Sequence, residues 1–262
     1  MHIHLQDRYH HRESLIHGLD PRTKVALTIL FILAVSLAPF GAFGIYALLW
    51  LAAMEAAYFS RLGPLFVLKR SVIALPFALA AITLPFTVPG ETIATLPLFG
   101  GLAITDAGTL RALSILVKSW ISVQMAILLV ATTPFHDLLW ALRALYVPAP
   151  LVAIISFMYR YLNVLADEAL RLLRARAARS AALPGVPSGG SLTWRGKVAG
   201  YMVGSLMLRS FERSERIYQA MVARGYRGSI RTLAHHHPGF ADWVAWAVMF
   251  LLLAIVLMVK FL

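Results

Sequence analysis

The chain has 262 residues, of which 60% are hydrophobic and only 14% charged, with a mean hydropathy of +0.74. A soluble domain of this length carries about a quarter charged residues, so the composition excludes an ordinary soluble protein. Net charge is +12, and there is no cysteine, which excludes disulfides and thiolate metal sites.

Runs long enough to cross a bilayer need about 20 apolar residues. Five candidates follow in chain order: Val25–Ala38 with its flanks, Phe43–Phe59, Val72–Phe86, Ser114–Thr132 and Trp243–Leu262. Each satisfies its backbone in lipid only as a helix, so the predicted fold is an all-α polytopic membrane protein with about five transmembrane helices. No secretory signal peptide is evident, because the first apolar run begins only after Lys24, behind a charged leader. Asp20-Pro21 is a helix start, with Asp as N-cap and Pro in the first turn. Pro39-Phe40-Gly41 reads as a tight turn and Gly63-Pro64 as a break. Pro76, Pro85 and Pro89 predict a third span that kinks and stops. Thr92–Leu102 reads as a loop with some extended structure.

The charges set the expected topology. Arg8, Arg12, Arg22 and Lys24 lie in the leader, and Arg61, Lys69 and Arg70 follow the second span. Residues 87–108 hold Glu91 and Asp106 without Lys or Arg, and residues 134–239 carry most of the basic side chains. The positive-inside rule puts the N-terminus, the first turn and the long basic region in the cytoplasm. The basic surface reads as topogenic charge beside lipid rather than a nucleic-acid interface. Within the fourth span Lys118 lies about 10 Å deeper than Arg111, and is read as snorkelling to the headgroups.

The second half is organised differently. After Thr133-Pro134, the residues Phe135, Leu138, Leu139, Leu142 and Leu145 share one face of a helix too short to span, which predicts an amphipathic interfacial helix. A long helix is predicted from Leu151 to about Ser180, apolar first and basic last. Residues 181–191, AALPGVPSGGS, form a linker by composition, and a second long helix runs from about Arg195 to Arg224 with Gly225 as its cap. Three segments result: a leader and four spans (1–132), a cytoplasmic helical region (133–240) and a last span (241–262). Gly196, Gly200 and Gly204 form a stripe, continued by the small pair Ser210 and Ser214, and predict a close crossing of the two long helices. The helices end in Ala178-Arg179-Ser180 and Ala223-Arg224-Gly225. Rigid helix ends tipped with guanidinium forks suit acidic pockets on a soluble partner better than they suit lipid anchorage.

No catalytic or metal site is predicted. Gly190–Val198 is one residue too long for a P-loop, with Val198 where Ser or Thr would bind magnesium. His2, His4, His10, His11 and His235–His237 lack a carboxylate at ligand spacing. A membrane enzyme would need Asp167, Glu168, Glu212 or Glu215 as acid–base groups, but Asp167–Arg171 and Glu212–Arg216 read as i, i+4 pairs.

Three stretches carry a resemblance: the leader DRYHHRESLIHGLDPRTK (Asp7–Lys24), FMYRYLNVLADEALRLLRARAARS (Phe157–Ser180) and RSFERSERIYQAMVARGYRG (Arg209–Gly228). They resemble the transmembrane T component of energy-coupling factor transporters, in its cobalt branch of CbiQ type. Ser180 departs from the Ala-Arg-Gly form of the wider family. The resemblance implies a non-catalytic scaffold in a bacterial inner membrane. Its two coupling helices would dock, through Arg179 and Arg224, into two ABC-type ATPases of CbiO type, which hold the ATP and Mg. It also implies a substrate-binding S component of CbiM type, a small CbiN-type subunit and cobalt as cargo. Nickel or a vitamin is the alternative cargo, and a polytopic membrane enzyme the rival of another class.

Overall fold

The computed structural model describes residues 9–74, 76, 81–96, 102–179, 191–228 and 237–261. They fall into two compact units, one of residues 7–145 with 234–262 and one of residues 146–233. The amphipathic helix and the C-terminal span, distant in sequence from the first spans, therefore pack with them.

In the first unit, α1 spans Pro21–Leu37. Asp20 caps it by accepting the Arg22 N–H at 2.8 Å, with Pro21 at the first helical position, as the Asp-Pro signal predicts. Phe31, Ala34 and Val35 form its buried stripe. Pro39 stops it, and the chain turns through Gly41, whose φ of +82° is left-handed and whose N–H donates to Ser114 Oγ at 3.0 Å. Helix α2, Phe43–Phe59, buries Tyr46 and Leu49 in the core cluster that also holds Phe31, Ala34 and Val35 of α1. Gly63-Pro64 then breaks the chain, and α3, Pro64–Arg70, leaves at 117° to α2 when taken with the 3₁₀ turn Ser71–Ala74 that extends it.

The expected third span, Val72–Phe86, is not one continuous helix. Residues 72–74 lie in that 3₁₀ turn, Pro76 and Ala81 are helical, residues 82 and 83 form a turn, and Pro85 sits in the first turn of the short helix Leu84–Thr87; residues 75 and 77–80 lie outside the described residues. Strands β1, Thr92–Leu96, and β2, Leu102–Thr105, form an antiparallel hairpin where extended structure was expected. Helix α4, Asp106–Thr132, follows directly. Its Gly108 is obligatory, since a Cβ there would lie 2.6 Å from Leu84 O and 2.7 Å from Pro85 Cα. Helix α5, Phe135–Ala144, is the predicted amphipathic helix. The last span, α8, covers Phe240–Phe261.

Three described helices are long and apolar enough to cross alone, Asp106–Thr132, Ala149–Arg179 and Phe240–Phe261, with the bent α2–α3 pair as a fourth candidate. At 17 residues each, α1 and α2 are about 26 Å long, short of a hydrocarbon core of about 30 Å.

Within the fourth predicted span, Lys118 Nζ donates to Ser36 O at 3.2 Å and to Ala38 O, and sits 4.6 Å from the Phe40 ring centroid. These carbonyls are at the C-terminal end of α1, which lacks intrahelical partners and carries the negative end of the dipole. Lys118 is thus a cap for α1 supplied by α4.

Candidate coupling site

The second unit contains α6, Ala149–Arg179, and α7, Leu192–Ala223. At 31 and 32 residues they are rods of about 46 and 48 Å. Ser191 opens α7 by accepting the Trp194 N–H at 3.3 Å.

The rods are joined by charge. Glu168 of α6 is 7% exposed, the one acid among α6's buried residues. Its Oε2 accepts from Arg213 Nη2 at 2.8 Å, and its Oε1 lies 3.5 Å from Arg209 Nη1. Arg209 and Arg213 are four apart, so both reach from one face of α7. Arg213 Nη1 is buried without a hydrogen-bond partner among the described residues, which leaves Glu168 as the carboxylate that compensates this guanidinium.

This differs from the expected glycine crossing. A Cβ added at Gly196, Gly200 or Gly204 would meet nothing within 4 Å, so the stripe lies in open space and makes no close approach to α6. Ser210 turns its hydroxyl back to Leu206 O at 2.7 Å, and Ser214 is exposed. Sequence reasoning missed Glu168 because it was weighed with Asp167 as one of a helical run of charges. The signal was present: Glu168 shares a stripe with Leu165 and Leu172, at i−3 and i+4, opposite a pair of arginines at matching spacing. The expected Glu212–Arg216 pair is not formed among the described residues; Glu215, next along, accepts from Gln219 at 3.0 Å.

The end of α7 is capped at Gly225. Arg224 is the C-cap of α7, and Gly225 follows with φ +83°. Gly225 N–H donates to Val222 O at 2.9 Å and Tyr226 N–H to Met221 O at 3.0 Å, the two bonds of a Schellman motif. The helix therefore ends sharply, with Ala223, Arg224 and Gly225 all exposed and open space around the glycine. Ala178 and Arg179 close α6 and are also exposed; Ser180 lies outside the described residues. Helix α7 has no buried residue along its length, and Tyr201, Val203, Met207, Leu208 and Phe211 are all more than half exposed. A contiguous apolar surface of this kind marks a contact with protein or membrane. Among the described residues no three His, Asp or Glu side chains gather as a metal site; His2, His4, His235 and His236 lie outside them.

Comparison with known proteins agrees with this architecture. A profile described as CbiQ, cobalt transport protein, matches residues 12–235. An uncharacterized protein of Methanocaldococcus jannaschii is 25% identical over 96% of this chain and 83% of its own length. An energy-coupling factor transporter transmembrane protein of Brevibacillus brevis is 29% identical over 83% of each chain. A cobalt transport protein CbiQ of Rhodobacter capsulatus is 27% identical over 60% of this chain and 62% of its own. With the profile spanning most of its length, the chain belongs to the CbiQ cobalt transport protein family, as a multi-pass membrane subunit of the energy-coupling factor kind.

Proposed function

We propose that this chain is the coupling scaffold of an ATP-driven importer for cobalt, in which Arg179 and Arg224 dock into two ABC-type ATPase subunits and the helices behind them carry ATPase motion to a separate substrate-binding subunit. The observation that supports this most is the pair of exposed arginine tips on two long helices braced by Glu168. A lipid anchor requires no such bracing, whereas transmission of force does. The exposed apolar face of α7 supports a further protein contact. On this reading the N-terminus and both tips face the cytoplasm of a bacterial inner membrane, following the distribution of Lys and Arg. ATP and Mg are held by the ATPases and the metal by the substrate-binding subunit, of CbiO and CbiM type, with a small CbiN-type subunit alongside. Cobalt as cargo is supported by the name of the family and of one relative.

The test is reconstitution. Proteoliposomes holding this chain with a CbiO-type ATPase and a CbiM-type subunit are expected to take up labelled cobalt only with ATP, while the purified chain alone hydrolyses none. Uptake of nickel or a vitamin in place of cobalt would move the cargo assignment. Hydrolysis by the chain alone would overturn the scaffold role.

A further inference from the structure

A cavity of about 280 Å³ lies in the first unit, between the start of α1, the end of α5 and the start of α8. Its walls are apolar, formed by Ala26, Leu145, Trp243 and Trp246. Trp246 stacks on Phe250 one turn further along α8, with centroids 5.6 Å apart, so the apolar wall continues beyond the cavity. At its edge stands Arg22, exposed, with its guanidinium 4.1 Å from the centroid of Trp140 on the amphipathic helix. Two carboxylates also line the cavity, but both are engaged by backbone. Asp242 accepts from Asp20 N–H at 3.0 Å and from Gly239 N–H at 2.8 Å, and Asp20 accepts from Arg22 N–H at 2.8 Å. Asp242 is 3% exposed. The accessible charge at the cavity mouth is therefore the guanidinium.

We propose that this cavity binds one anionic phospholipid, with its phosphodiester on Arg22 and an acyl chain along Trp243, Trp246 and Phe250. A guanidinium placed over an indole ring can still offer its N–H donors to a phosphate oxygen pair. Tryptophans at the mouth belong at headgroup depth, where an amphipathic ring has one end dry and one wet. A free inorganic anion leaves the long apolar wall unexplained; a lipid uses both halves. The site goes beyond the coupling role, and depends on the proposed topology only for which leaflet supplies the lipid.

The test uses the full chain in detergent, titrated with phosphatidylglycerol or phosphatidylcholine and read by native mass spectrometry. Wild type is expected to hold one phosphatidylglycerol in preference to phosphatidylcholine. Arg22→Gln is expected to lose this preference, weakening phosphatidylglycerol binding by about five- to tenfold, the size of one basic residue's attraction to anionic lipid. Arg70→Gln, whose guanidinium sits over Phe66 outside the cavity, is expected to bind as wild type. A second readout needs no variant: brominated phosphatidylglycerol is expected to quench the wild-type tryptophans at lower concentration than brominated phosphatidylcholine. Equal binding of both lipids by wild type, an unchanged Arg22→Gln, or displacement of the lipid by millimolar inorganic phosphate would each overturn the assignment.

Discussion

Replacing Glu168 by Gln tests whether the two coupling helices are braced where the structure joins them. The Glu168–Arg213 contact at 2.8 Å puts the charge centres about 4 Å apart, worth about 4 kcal/mol gross at an effective dielectric near 20. The Arg209 side chain is 56% exposed, so its share is screened to under about 1 kcal/mol. Desolvation offsets part of the gross attraction, and the Gln amide keeps one hydrogen bond of about 1 kcal/mol, leaving an expected loss of about 2 kcal/mol. That is about a 30-fold shift in the ratio of joined to splayed helices. The chain has no cysteine, so two can be introduced at the exposed positions Ala175 and Ala220 and spin-labelled. Pulsed electron resonance in nanodiscs is expected to give a narrow distance distribution when Glu168 is intact and a broad one in the Glu168→Gln variant. The exchange Glu168→Arg with Arg213→Glu is expected to recover part of the narrowing. A distribution unchanged by Glu168→Gln would refute the idea that this ion pair holds the rods.

Three further outcomes follow from the structure. Lys118→Met removes the cap on Ser36 and Ala38 carbonyls and is expected to cost about 1–3 kcal/mol, seen as a lower melting temperature in detergent without loss of membrane insertion. Gly225→Ala places a side chain at φ +83° and is expected to cost about 1 kcal/mol, fraying the last turn of α7 and raising amide exchange at Tyr226. In the leader, His17 Nε2 donates to His10 O at 3.0 Å, while Nδ1 meets Ser14 Oγ at 2.7 Å. Burial pushes its pKa below the ordinary histidine value and Lys24, His11 and Arg12 push the same way, with the His10 carbonyl in partial opposition. The unfolded chain then binds the proton more readily, so stability is expected to fall as pH drops through about 6.5 and to level off below the folded pKa. His17→Gln is expected to flatten that part of the pH–stability curve.

The elements most legible in the sequence were those written in local chemistry. Asp20-Pro21 marked the start of α1 and Gly225 the end of α7, because capping depends on one or two residues at fixed offsets. The two long helices were readable within a few residues from their periodicity. What failed was long-range pairing. Leu165 and Leu172 flank Glu168 on one stripe, but its partner Arg213 lies 45 residues along the chain, and the glycine stripe carries no information about which surface it faces. The partners of Lys118 were out of reach for the same reason: Ser36 and Ala38 are about eighty residues away.

The central claim is that the arginine tips engage the ATPases. Co-purification of the chain carrying both Arg179→Glu and Arg224→Glu with a tagged CbiO-type ATPase measures it directly. The double variant is expected to insert in the membrane at wild-type level and to pull down no ATPase. Assembly and ATP-dependent uptake at wild-type level would contradict the account.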